Sequence, residues 1–289
     1  MQLTTYPSAV GFLAHTRDVL QQDEVANNLM LGVALRLAAA PEEIKSPPYL
    51  ATVEHDGVLI LAALMTPPYP LTLFRTEQVE TALKPACDLL IHDLLSHGWP
   101  VSHVSGRKPL PEEFARVWTE LTGSASHISM RERIYELRQV IPARPVPGDL
   151  RQATVEDVDI VAQWAVEFFA EALPDESQAD ARESALRRLK LGEIVLWEVD
   201  GRPVSMASKS RPMQTSISVN LVYTPPAWRR RGYAGACVAA LSQRLLDEGW
   251  QSCALFTDLA NPTSNSIYQK IGYQPVCDFD VVAFDSYAT

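Results

Sequence analysis

The chain has 289 residues, enough for two domains of ordinary size. It is 47% hydrophobic and 21% charged, and its net charge of −10 argues against nucleic acid as a main partner, because phosphate binding needs a positive footprint. No apolar run approaches the roughly 18 residues that span a bilayer, and the first residues lack the basic region and apolar core of a secretory signal, so a cytoplasmic protein without membrane contact is expected.

In chain order, the first clear signal is Asp56-Gly57 between two apolar runs, as in a hairpin turn. PPYP, from Pro67 to Pro70, reads as a loop, and LLSHGW (Leu94 to Trp99) ends a helix at its glycine. IPARPVPGD, Ile141 to Asp149, holds three prolines and one glycine, so 142–149 is expected to link domains at 1–141 and 150–289. Leu150 to Ala153 reads as a short strand, and Thr154 as the cap of a helix whose first turn carries Glu156 and Asp157. On that helix Trp164 and Phe168 share a face and are expected in the core, beside Phe169. Asp200-Gly201 is a second hairpin turn. Val204 to Ala207, Ser216 to Val222, Ala254 to Phe256 and Val281 to Phe284 read as strands. Between them, Cys237, Val238, Leu241, Leu245 and Leu246 form one stripe of a helix over 234–248, closed by Gly249. Asn261-Pro262 starts a last helix and Gly272 stops it.

The halves look like copies of one unit. The two Asp-Gly turns are 144 residues apart (200 − 56), and the same offset pairs Ala63 with Ala207 and Pro68 with Pro212. LLSHGW matches LLDEGW, Leu245 to Trp250, at an offset of 151 (245 − 94). The offset thus grows by 7 residues across an interval that, in the second half, contains an arginine-glycine loop. The first half reads LTLFRTEQVETALKPACDLL there, with no glycine.

That loop lies in LVYTPPAWRRRGYAGACVAA, Leu221 to Ala240: a strand, a Pro-Pro break, arginines and glycines, then a helix. The order suits binding a pyrophosphate with backbone. Gly232 and Gly235 allow close approach and positive φ, the helix start near Tyr233 aims N–H groups at an anion, and Arg229, Arg230 and Arg231 add charge-assisted hydrogen bonds. Trp228 could pack on an adenine or serve structure alone. Cys87, Cys237, Cys253 and Cys277 form no CxxC pair, and the six histidines, all in the first half, follow no ligand spacing, so no metal is expected.

The spacing Arg229-x-x-Gly232-x-Ala234 resembles the acyl-CoA signature of the GNAT N-acetyltransferases, Q/R-x-x-G-x-G/A. Asn261, Ser264, Ile267, Tyr268, Gly272 and Tyr273 then follow the family's N-x-x-A-x-x-L-Y-x-x-x-G-F/Y, with two near-equivalent exchanges. The likeness covers roughly 149–284. It implies an α/β (α+β) protein of two tandem GNAT-like domains, each a mixed, largely antiparallel sheet flanked by helices. In the second domain two central parallel strands, 216–222 and 252–258, would splay to admit the pantetheine arm, while the first copy has lost its cofactor loop. The implied reaction is acetyl transfer from acetyl-CoA to a primary amine, with no metal; the partners are the donor and the acceptor, and a homodimer is left open.

By the same resemblance, backbone at Leu221, Val222 and Tyr223 would polarise the thioester carbonyl, and Arg229 to Gly235 would hold the pyrophosphate. Asn261 and Ser264 would meet the pantetheine, although Asn261 also reads as an N-cap. Tyr268 is the proton donor to the departing thiolate, or alternatively an aromatic core anchor. Many GNAT enzymes carry a glutamate on the strand before the loop; this chain has Ser216, Ser218 and Asn220. Candidates for the base are Asp258, Glu167, Glu171, or water along Ser218 and Asn220. A non-catalytic acyl-CoA-binding module is the alternative reading.

Overall fold

The computed structural model describes residues 1–43, 46–76, 82–142, 145–172 and 178–285. Positions 77–81 of the glycine-free stretch and 143–144 of the expected linker lie outside the described residues. The chain divides into two compact units. One comprises Met1–Ile134, Thr257–Ala260 and Val276–Thr289; the other comprises Tyr135–Phe256 and Asn261–Pro275.

The first unit runs β1 (Gln2–Thr5), α1 (Ala9–Gln21), α2 (Asn28–Ala39), β2 (Tyr49–His55), β3 (Val58–Met65), β4 (Leu71–Arg75), α3 (Leu83–Ser96), β5 (His103–Arg107), α4 (Leu110–Thr122) and β6 (Ser126–Leu137). From residue 149 the chain repeats the order with β7 (Asp149–Gln152), α5 (Val158–Ala172), α6 (Gln178–Lys190), β8 (Ile194–Val199), β9 (Arg202–Ser210), β10 (Ser216–Tyr223), α7 (Tyr233–Asp247), β11 (Ser252–Asp258), α8 (Pro262–Ile271) and β12 (Gln274–Phe284). Among the described residues no helix is long and apolar enough to cross a membrane.

Each unit has a mixed sheet. In the first, β1 to β4 are antiparallel neighbours, β4 and β5 are parallel, and β12 lies antiparallel beside β5 with Val281 opposite Ser105. In the second, β7 to β10 are antiparallel and β10 pairs in parallel with β11. The internal repeat extends to detail. Asp56 and Gly57 have φ of 50° and 76°, Asp200 and Gly201 have 49° and 74°, as a two-residue hairpin turn of right-handed strands demands. Both hairpins carry a register shift, at Val53/Glu54 and Trp197/Glu198, again 144 residues apart (197 − 53). The two matched helix ends close alike, with Trp99 N–H donating to Leu94 O at 3.0 Å and Trp250 N–H to Leu245 O at 3.2 Å.

The expected linker at 142–149 does not separate the units. Residues from Tyr135 onward belong to the second, where Trp197 Nε1 donates to Pro147 O at 2.9 Å and Ile141 N–H to Ile271 O at 2.7 Å. At 145–149 the Pro147 carbonyl finds its partner in Trp197, so that stretch straps onto the second unit. The strand expected at 281–284 is the end of β12, which from Val276 belongs to the first unit. In the second unit, the cores lie on opposite faces of the sheet. Ile217, Val219, Cys237, Leu241, Leu255 and Tyr268 pack with α7 and α8. Trp164, Ala185, Leu196, Met206, Leu221 and Tyr223 pack with α5 and α6, with Phe168 and Phe169 at their margin.

Candidate functional site

The strands β10 and β11 pair only from Ser216 to Ser218 and from Ser252 to Ala254. Beyond that point β10 runs to Tyr223 and β11 continues through Leu255 and Phe256 without pairing to each other. Where they part, β10 is bulged. Its register against β9 shifts between Asn220 and Tyr223, and Leu221 has φ of 49°, a left-handed conformation that leucine rarely adopts. The bulge reverses the alternation of side chains: Ile217 and Val219 face α7, but so does Val222, while Leu221 and Tyr223 join the α5–α6 core. Backbone amides at Leu221 and Val222 are thereby turned out of the ladder with β9.

A short 3-10 turn, Pro226–Trp228, follows, and then the arginines. Arg229 is held by its neighbours: Nε donates to Thr224 O at 2.8 Å, one terminal nitrogen donates to both Glu171 oxygens at 2.8 Å, and the guanidinium lies 5.6 Å from the Tyr223 ring centre. The Glu171 bond pushes its pKa further up. Arg231 stacks 5.1 Å from the Trp228 ring, and Arg230 has φ of 63°. Gly232, with φ of 86°, precedes α7, whose ladder opens with Ala236 N–H donating to Gly232 O at 3.0 Å. The N–H groups of Tyr233, Ala234 and Gly235 therefore precede the ladder, at the positive end of a helix 15 residues long. Only backbone is offered by Tyr233, whose ring is buried against Trp228. Gly235 is helical, and its bare Cα leaves room for Ile267 of α8, 3.4 Å from where a Cβ would stand.

On α8, Asn261 Oδ1 accepts from Ser264 N–H at 3.1 Å, so the cap occupies the groups expected to meet pantetheine. Tyr268 is 8% exposed and lies edge-on to Tyr273, 6.0 Å away. The two tyrosines differ in their hydroxyls. Tyr273 shares a 2.9 Å hydrogen bond with Ser242, whereas the Tyr268 hydroxyl has no partner among the described residues. Burial pushes the Tyr268 pKa up to about 12, so it keeps its proton across the neutral range.

Residues 200–279 match the family model described as FR47-like protein. No curated protein matches the chain. Among solved structures it is similar to a tandem GNAT protein from the clavulanic acid biosynthesis pathway, at 13% identity over 100% of both chains and a TM-score of 0.60. It is also similar to a GCN5-related N-acetyltransferase from Sphaerobacter thermophilus, at 14% identity over 99% of this chain and 98% of that one, TM-score 0.63. An acetyltransferase of the GNAT family from Colwellia psychrerythraea aligns at 10% identity over 98% and 99%, TM-score 0.62. The chain has the fold of a tandem GNAT protein.

Within the second unit the carboxylates expected near the chemistry are differently engaged. Asp258 Oδ1 accepts from Ala260 N–H at 2.8 Å, and the segment Thr257–Ala260 clusters with the first unit. Glu171 is taken by Arg229. Glu167 accepts from the Tyr223 hydroxyl at 2.9 Å and from Gln163 Nε2 at 2.8 Å, beside the bulge; burial and this carboxylate push the Tyr223 pKa up to about 12. Cys237 and Cys253 are buried thiols pushed up to about 12, as small core residues would be. Sequence reasoning missed the pairing of Tyr223 with Glu167 and that of Arg188 with Asn220, 56 and 32 residues apart, for which no local pattern exists.

Proposed function

We propose that the second unit transfers an acetyl group from acetyl-CoA to a primary amine of a small molecule, in a ternary complex. The observation that carries this reading is the left-handed Leu221 at the point where β10 leaves β11, followed by an open helix start at Gly232. A pyrophosphate would bind the N–H groups of Tyr233 to Gly235, with Arg230 and Arg231 nearby, while Arg229 braces the loop. The thioester carbonyl would accept from amides at Leu221 and Val222, which match the charge that develops on oxygen during attack. The unprotonated amine attacks the carbonyl carbon; the C–N bond forms and the C–S bond breaks. Tyr268 gives its proton to the thiolate and regains one from solvent. The amine nitrogen loses its extra proton to water along Ser218 and Asn220, or to Glu167. The products are the amide and free CoA.

The first unit is read as a copy without a cofactor site. Two further expectations belong to the same reading: a cytoplasmic location and, still open, a homodimer. Supplying acetyl-CoA with an amine panel tests the reaction, with release of free thiol as the signal. Amine-dependent release is expected. Tight CoA binding with no release for any amine would overturn transfer in favour of a non-catalytic acyl-CoA-binding module, a reading supported by the lack of a carboxylate on β10.

A further inference from the structure

One side of α5 reaches both the strand end past the bulge and the loop ahead of α7. Gln163, Glu167 and Glu171 recur every four residues and so lie along one side of the helix. Gln163 Nε2 donates to Glu167 Oε1 at 2.8 Å, and the Tyr223 hydroxyl donates to Glu167 Oε2 at 2.9 Å. One turn further on, both Glu171 oxygens accept from Arg229 at 2.8 Å. The first contact holds the end of β10; the second holds the loop before Gly232. Arg229 also folds back on the strand it follows, donating from Nε to Thr224 O at 2.8 Å with its guanidinium over the Tyr223 ring. From β9, Ser205 Oγ donates to Tyr223 O at 3.1 Å and lies 2.8 Å from the Thr224 hydroxyl, so the strand end is fixed on that side as well.

Stability does not account for the Glu171 contact. Its side chain is 51% exposed and that of Arg229 is 41% exposed, and an ion pair so open to water adds little to folding. Charge does not account for it either. A carboxylate beside a loop that receives a pyrophosphate repels the ligand and neutralises one of three consecutive arginines, so by Coulomb's law alone the site would do better without it. What Glu171 supplies is geometry. Arg230 and Gly232 both have positive φ, at 63° and 86°, so the N–H groups that open α7 face one direction only while the chain before them keeps one conformation. Three hydrogen bonds, one to Thr224 and two to Glu171, hold Arg229 directly ahead of those two positions.

We infer that Glu171 is a positioning residue for the cofactor. Through Arg229 it holds the pyrophosphate loop in register with the bulge, which Glu167 holds through Tyr223 from the same helix. Arg229 is then no phosphate ligand, and a carboxylate that repels the cofactor nonetheless strengthens its binding. This rests on the reading of 230–235 as a phosphate cradle, and the sign of one substitution separates the two.

The test is calorimetry with CoA on the full chain. Glu171→Gln makes the site more positive, so a charge effect alone would tighten CoA. Loss of the brace should instead weaken it by about three- to tenfold, the span expected when a released side chain must be ordered again on binding. Arg229→Gln should lose as much, and the double variant no more than either single one, because each removes the same device. Melting temperature should hold in all three. The single-turnover rate at saturating acetyl-CoA should stay within about twofold of wild type, since neither side chain touches the reacting atoms. Unchanged or tighter CoA binding by Glu171→Gln overturns the inference. So do additive losses in the double variant, a fall in melting temperature that accompanies the loss of affinity, and a slowed single turnover at unchanged affinity. A wild type that binds no CoA sinks the cradle reading, and the inference with it. Normal binding by wild type with no weakening in Glu171→Gln sinks the inference alone.

Discussion

In the first unit the parallel strands β4 and β5 are stitched together. Thr72 and Ser105 hydroxyls lie 3.2 Å apart between them, and a Cβ on Gly106 would stand 2.8 Å from Leu73 O. The register of β4 on β3 is unbroken from Thr72 to Arg75. In the second unit, β10 and β11 pair over three residues, as β4 and β5 do, but the register of β10 on β9 breaks between Asn220 and Tyr223, at Leu221. The same order of elements thus carries an unbroken strand in one unit and a bulged one in the other. What differs is one residue forced into a left-handed conformation and a loop about seven residues longer, so the two units diverge in backbone geometry more than in any side chain.

The largest test of this contrast is Tyr268→Phe. It removes a hydroxyl and almost no volume, and single-turnover acetyl transfer should fall by about 10²–10⁴-fold with melting temperature and CoA affinity near wild type. An unchanged rate would make Tyr268 a core anchor only. Next in size is Gly232→Val. A β-branched residue at φ of 86° is strained, and its Cβ would stand 3.1 Å from Val146 Cγ2. CoA affinity should drop by at least about tenfold while the fold survives; calorimetry giving normal affinity would dissolve the phosphate cradle. The same titration on wild type should give one CoA per chain, and two equivalent sites would show that the first unit binds the cofactor as well. Smallest is Gly106→Ala, which presses a Cβ into Leu73 O. It should destabilise the chain by about 1–3 kcal/mol, read as a lowered melting temperature, without changing CoA affinity. A loss of CoA binding would mean that the first unit carries part of the site.

Much of this fold is written locally. Asp-Gly turns, the stripe of α7, the Asn261 cap and the Gly272 stop each depend on near neighbours, and each lies where its chemistry puts it. The site is less legible. Leucine has no preference for positive φ, so the bulge at Leu221 follows from pairing with β9 and packing under α5, not from its own identity. Arg229 reads as a phosphate ligand until Glu171, 58 residues earlier, is brought to it by folding. The strap at 145–149 likewise follows from distant partners, since a Pro-rich stretch says only that the chain is extended.

Residues from Val276 complete the first unit's sheet, where β12 covers the edge of β5. This has a consequence for biosynthesis. When the ribosome finishes Ile134, the β5 edge has no strand to cover it, and the segment that completes the unit begins 142 residues later (276 − 134). At ordinary translation speeds of about 5–20 residues per second, the wait is on the order of ten seconds. During that interval the nascent chain exposes an unpaired strand edge of the kind that recruits other chains. The first half cannot finish folding in the order in which it is synthesised; β12 closes it.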